Sequence, residues 1–168
     1  MTDQAITVVV TDANVLINFC HIGQLPLLGV LAPYRFVVPV EVVNEIIDPA
    51  QRAAVAGAVT QGVLGETVID RIEALALFGT LRDIMGRGEA ACLALAATEG
   101  WAIASDEKRR FRREAIRLLG EARIVGTASL LLHAIKSRRM SVADADGFKG
   151  VLEAKRFVMP FASFGDLE

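Results

Sequence analysis

Residues 6–14 read Ile-Thr-Val-Val-Val-Thr-Asp-Ala-Asn. The run Ile6–Val10 is β-branched at every position. Such an unbroken run is the pattern of a central strand buried on both faces of a parallel sheet. It stops at Thr11-Asp12, and a helical pattern begins at once. A carboxylate at that point stands at the carboxyl end of a buried strand, where an open α/β sheet opens its crevice.

The same alternation continues outward. Strands are predicted at Phe36–Val38, Thr67–Ile69, Trp101–Ala104 and Arg123–Val125. Between them the spacing predicts helices over Asn14–Cys20, Leu25–Leu31, Pro39–Ile47, Ala50–Gln61, Arg71–Met85, Glu89–Thr98, Glu107–Leu119 and Ala128–Lys136, the last capped by Thr127. Asp48-Pro49, Gly100 and Gly120 supply stop signals. A final helix starts at Ser141 or Asp144 and runs toward Arg156, with an apolar tail, Phe157–Phe164, behind it. Strands alternating with helices imply one α/β domain over residues 1–168, with a mostly parallel sheet of four to five strands and a C-terminal helical extension from about residue 140.

The chain has 168 residues, enough to bury a real core, and 53% of them are apolar, with a mean hydropathy of +0.44. That excess suits a sheet covered on both faces or a subunit interface. Ala13–Tyr34 carries no charge, but Asn14, Asn18, Gly23, Gln24, Pro26, Gly29 and Pro33 interrupt it. A membrane span needs about 20 predominantly apolar residues, so none is expected. Asp3, with no basic residue before Val8, argues against a signal peptide. Cys20 and Cys92 share no metal-ligand spacing with each other or with His21 and His133. They read as small buried hydrophobes, and a cytoplasmic location is expected. The net charge of −2 gives no global attraction for nucleic acid, so any such binding needs a local patch.

Four acids, Asp12, Glu45, Glu89 and Asp106, sit near element boundaries. Asp12 and Asp106 each follow a strong strand, so both should emerge on one sheet edge. Each also reads as a helix N-cap. Glu45 follows Glu41 by one turn; Glu41, in the first turn, is explained by the helix dipole, whereas mid-helix Glu45 is not. Glu89 opens an Ala-Leu helix after Gly86-Arg87-Gly88, and the dipole explains it as well. Carboxylates held together repel unless a cation neutralises them, and oxygen donors suit Mg²⁺ or Mn²⁺. Neither a nucleophile–histidine system nor a GxxxxGK[ST] or GxGxxG loop is evident, so metal-assisted hydrolysis is the enzymatic reading. An aspartate-based phosphotransferase is a competing reading, because Asp12 ends a strand. Against it, Asn14 stands where haloacid dehalogenase-like phosphatases carry their second Asp.

Directly after Asp106, residues 108–117 hold six basic side chains: Lys108, Arg109, Arg110, Arg112, Arg113 and Arg117. Arg109, Arg113 and Arg117 form one helical stripe with Arg110 beside it, while Phe111, Ala115 and Leu118 face the core. The stripe is either a solvated helix face or a phosphate-tracking surface leading to the acids. Lys136, Arg138 and Arg139 could extend it. Few aromatics accompany these charges, so base stacking finds no support in the sequence.

With those residues placed, the sequence resembles a PIN domain, the fold of many metal-dependent ribonucleases, including VapC-type toxins. The resemblance runs through VVVTDANVLINF, VVPVEVVNEI, GRGEAACLALAATEGWAIASDEKRR and IVGTASLLLHAIK. It implies a three-layer α/β/α sandwich. The family's acidic positions fall on Asp12, Glu45, Glu89 and Asp106 as metal ligands and catalytic groups, with Asn14 and Thr127 in support; Thr127 reads equally as a helix cap. VapC toxins usually place Asp at the third position. Glu89, together with Asp106, Glu107 and Arg110, is closer to another bacterial and archaeal PIN subfamily.

The resemblance therefore implies a Mg²⁺- or Mn²⁺-dependent ribonuclease, with RNA as substrate. It also allows the role of toxin in a toxin–antitoxin pair, with an antitoxin partner, and a homodimer. The alternative is a PIN-fold RNA-binding or protein-interaction module without useful catalysis.

Overall fold

A computed structural model describes residues 4–167. Asp3, on which the leader argument rests, lies outside them. Five strands, β1 (Thr7–Thr11), β2 (Tyr34–Pro39), β3 (Gly65–Thr67), β4 (Ala102–Ala104) and β5 (Ile124–Val125), form one sheet in the order β3-β2-β1-β4-β5. Every pairing is parallel, with Val9 opposite both Phe36 and Ala102. The β-branched run supplies the central strand from Thr7 onward, with Val9 and Val10 wholly buried, whereas Ile6 precedes the strand and is 71% exposed.

The helices are α1 (Ala13–His21), α2 (Val40–Glu45), α3 (Pro49–Thr60), α4 (Ile72–Leu81), α5 (Arg87–Glu99), α6 (Arg109–Leu119), α7 (Thr127–Lys136) and α8 (Val142–Ala154). Leu25–Gly29, expected as a helix, is a short 3₁₀ segment. The layers make the expected α/β/α sandwich. In one, α5 packs on β1, β2 and β4 and is itself contacted by α2, α4 and α6; in the other, α1 meets α3, α7 and α8. Helix α5 is buried continuously from Ala90 to Ala96. A helix that is apolar all round belongs inside, and its alanines let it lie close to the sheet.

Helix α2 stops at Glu45, two residues before the expected end. Ile46 turns extended to bury its side chain, and Asp48 must stay extended before Pro49. No helix among the described residues is long and apolar enough to cross a membrane. Beyond α8 the tail is pinned: Asp146 accepts hydrogen bonds from the Ser163 hydroxyl at 2.6 Å and the Phe164 N–H at 2.8 Å, and Met159 and Phe164 are buried.

Candidate functional site

The strand order reverses at β1, between β2 and β4, the point at which open parallel sheets bind ligands. Thr11 pairs with Ala104, and the Asp12 N–H donates to the Ala104 carbonyl at 2.9 Å. The two strands thus end level and release Asp12 and Ser105 side by side. Asp12 is only 3% exposed. Its Oδ1 accepts from the Ala13 N–H at 2.8 Å and its Oδ2 from the Ser105 hydroxyl at 3.1 Å. Burial outweighs those two bonds and, with repulsion from Glu89 and Glu107, pushes the Asp12 carboxyl up to about 7.

Glu89, third residue of α5, is half-buried, and its carboxyl is raised by burial and then by Glu107 and Glu45. Glu45 reaches the same helix from α2: its Oε1 accepts from the Gly88 N–H at 2.7 Å, satisfying one of the free donors of α5's first turn. A Cβ at Gly88 would collide with that carboxylate. Glu41 has its Oε2 buried with no hydrogen-bond partner among the described residues. Cys92, fully buried one turn beyond Glu89, has its thiol pushed well up by burial and then by Asp12, Glu45, Glu41 and Glu89. Four carboxylates therefore share one patch.

Asp106 faces a different set of partners. Its Oδ1 accepts from the Thr127 N–H at 2.8 Å. Its Oδ2 accepts from Asn18 Nδ2 at 3.1 Å and from the Thr127 hydroxyl. Burial raises this carboxyl, the Thr127 and Asn18 bonds lower it, and Glu107 raises it further. Glu107 links the two groups: its N–H donates to Ser105 Oγ at 3.1 Å and its Oε1 accepts from Asn14 Nδ2 at 3.1 Å. Asn14 Oδ1 in turn accepts from the Asp106 N–H at 3.2 Å.

The PIN-domain family model DUF3368 matches residues 8–154. The chain belongs to the PIN-domain family. No curated protein gives a match. PIN domains are in general nucleases that use divalent metal ions.

Within this PIN domain, Asp12, Glu45 and Glu89 fall in the shared patch, and Asp106 stands beside it with most of its acceptor capacity used. Asp12 is the N-cap of α1, as one reading expected. Asp106 is not a cap of α6, which begins only at Arg109; it binds the first N–H of α7 instead. Thr127 is not a cap either. It lies inside α7, behind Gly126, and its hydroxyl donates to Asp106. Glu45 also has a structural role after all, since it closes the amino end of α5 from a neighbouring helix.

Of the stripe residues, Arg109 lines a cleft with Asn14, Asn18, Asp106 and Glu107. Arg117 pairs with Glu114 at 2.7 Å, the Arg110 guanidinium donates to the Ile84 carbonyl at 3.2 Å, and Arg113 is exposed. Sequence reasoning missed Asn18, Ser105 and Glu107 as site residues. Asn18 follows Asn14 by one turn on α1, and Ser105 follows β4 as directly as Asp12 follows β1; those two signals were available. Glu107 depends on the loop between β4 and α6, whose path has no local signature.

The residues present fit a hard divalent cation. The donors are carboxylate oxygens, Glu41 contributes an orphaned buried oxygen, and Asp12 stays ionised at neutral pH only at an electrostatic cost. Among the described residues no three His, Cys, Asp or Glu side chains stand together at ligand distance.

Proposed function

We propose that this PIN domain is a metal-dependent ribonuclease hydrolysing RNA phosphodiester bonds at the carboxyl edge of β1 and β4. The observation that carries the reading is the convergence of Asp12, Glu89 and Glu107, with Glu41 and Glu45 behind them, at the strand-order reversal. Mg²⁺ or Mn²⁺ would be held by Asp12, Glu45, Glu89 and Asp106, directly or through water, with Glu107 added to that set. When bound, such an ion supplies charge compensation for the carboxylates and Lewis acidity toward the phosphoryl group.

The chain's own residues do the positioning. A carboxylate offers about four acceptor sites; Asp12 uses two of them on Ala13 and Ser105, leaving about two free. Asp106 spends three on Thr127 and Asn18, so it orients the α1–α7 side of the site and has one left. Asn14 bridges Glu107 and the Asp106 backbone, which holds the β4–α6 loop in place. The test is Mn²⁺-dependent cleavage of single-stranded RNA by the wild type, Asp12→Asn and Glu89→Gln. Full activity in either variant would sink the mechanism.

A second reading, a PIN-fold RNA-binding module without useful catalysis, draws on the engagement of Glu45 and Asp106 in structural hydrogen bonds. Titrating Mn²⁺ against the fluorescence of Trp101 separates the two. Absence of both a metal response and cleavage, alongside salt-sensitive RNA binding, favours the module. A toxin role with an antitoxin partner, and a homodimer, belong to the same proposal. The exposed apolar side chains Ile47, Val68, Ile72 and Leu75 offer surface for such contacts. A light-scattering mass of one subunit across micromolar concentrations would argue against the dimer.

A further inference from the structure

Beside the carboxylates lies a cleft of about 600 Å³ whose lining includes Asn14, Asp106, Glu107, Lys108 and Arg109 together with Lys155, Arg156, Phe157 and Val158. The last four of these follow directly on residue 154, where the match to the PIN-domain family ends. They come from the chain's own tail, brought over the site by α8 and pinned by Asp146 to Ser163 and Phe164.

Among the described residues, none of the four cations forms an ion pair or a side-chain hydrogen bond. By contrast, Arg71, Arg112, Arg117 and Lys149 are paired with glutamates. Lys108, Arg109, Lys155 and Arg156 are all exposed. Two unpaired cations on each of two chain segments thus line one cleft together with Asp106 and Glu107.

The backbone under Arg156 is unusual as well. Helix α8 closes with the Arg156 N–H donating to the Glu153 carbonyl and the Phe157 N–H to the Leu152 carbonyl, both at 2.9 Å. This closure normally takes glycine at its left-handed position. Here Arg156 occupies it at φ 67°, so an arginine stands where the helix end alone would favour glycine. Phe157, partly buried, and Val158, 68% exposed, add an apolar strip next to the charges.

We propose that Lys155 and Arg156, with Lys108 and Arg109 of the same cleft, form a phosphate-binding rim that holds a single-stranded nucleic-acid chain across the carboxylate site, with Phe157 as a face for one unstacked base. Alternating cationic and apolar surface is what a single strand requires, since its phosphates and base faces are both free. The inference deepens the nuclease reading and rests on it for the identity of the ligand.

The test uses the full chain in EDTA, so that no cleavage intervenes, and a fluorescein-labelled twelve-nucleotide oligouridylate read by anisotropy. Each lost phosphate contact lowers the slope of log K against log salt by about 0.7 for a single strand. Lys155→Gln/Arg156→Gly should therefore reduce the slope by about 1.4 and weaken binding at low salt by about tenfold. Arg156→Gly relaxes the backbone at that position, so a folding defect does not explain lost affinity.

Arg138→Gly is the matched control. Arg138 is also left-handed, at φ 58°, at the end of α7, and the next residue, Arg139, lies with Ile6 and Tyr34 at the opposite edge of the sheet. It should bind as the wild type does. An unchanged affinity and slope in the double variant, an equal loss in Arg138→Gly, or equal affinity for polyglutamate would each overturn the rim. Cleavage by the wild type in Mn²⁺, measured separately, reports on the nuclease reading alone.

Discussion

Replacing Asp12 by Asn should stabilise the metal-free protein at alkaline pH, and the size of the effect follows from the burial of that one carboxyl. The folded-state value, about 7, stands above the ordinary 3.8. A group whose value is raised on folding costs nothing below the unfolded value, where both states hold the proton. Between pH 4 and 7 the unfolded chain ionises first, so stability falls by about 1.4 kcal/mol per pH unit. Above pH 7 the full cost is present, about 4 kcal/mol, a large fraction of the ~5–15 kcal/mol that holds a domain together. Asn carries no charge at any pH and keeps the local bonds: its carbonyl accepts from Ala13, and its amide donates to Ser105 Oγ.

The wild type and Asp12→Asn should therefore coincide near pH 4 and diverge by about 4 kcal/mol at pH 8, or roughly 10 °C in Tm for a chain of this size. Urea unfolding in EDTA at a series of pH values, followed by the single tryptophan, Trp101, measures it. Added Mn²⁺ should raise the wild type and leave Asp12→Asn unmoved. Parallel pH profiles for the two proteins would refute the reasoning.

Other expectations follow from the same geometry. Gly88→Ala should fold, because the clash is with the mobile end of Glu45, yet weaken Mn²⁺ affinity by about tenfold as that carboxylate is pushed aside; isothermal titration calorimetry with unchanged affinity would contradict it. Asp106→Ala should cost about 3 kcal/mol in urea unfolding, since it leaves the Thr127 hydroxyl hydrogen without an acceptor, limits the buried Asn18 amide to its bond with Thr127, and uncaps α7; Asp106→Asn should cost clearly less. Arg156→Gly should raise stability by about 1 kcal/mol by removing a left-handed non-glycine residue, and a lower Tm would count against that account. Ellman's reagent should reach Cys20 slowly and Cys92 only on unfolding, because burial raises both thiols and Cys92 is fully enclosed.

The middle of the sheet was legible in the order of the amino acids alone. The β-branched run at 6–10 supplied the central strand from Thr7 onward and the runs at 36–38 and 101–104 its two neighbours, whereas β3 lies two residues before the run at 67–69 and α2 and α6 are shorter than the proline and glycine signals implied. The same order also put Asp12 and Asp106 beyond the carboxyl ends of two neighbouring strands, because a residue that follows a parallel strand has nowhere else to go; Glu41 and Glu107 join them only through packing. Tertiary structure alone decided what each acid touches. Asp106 caps a helix beginning 21 residues later, Glu45 reaches across to α5, and Glu107 rather than a longer arginine stripe bridges the two halves of the site. It also decided that Lys155 and Arg156 line the same cleft as Lys108 and Arg109. The physical reason is range: strand and helix preferences act over a few residues, whereas hydrogen-bond partners and charge neighbours are set by which surfaces pack together.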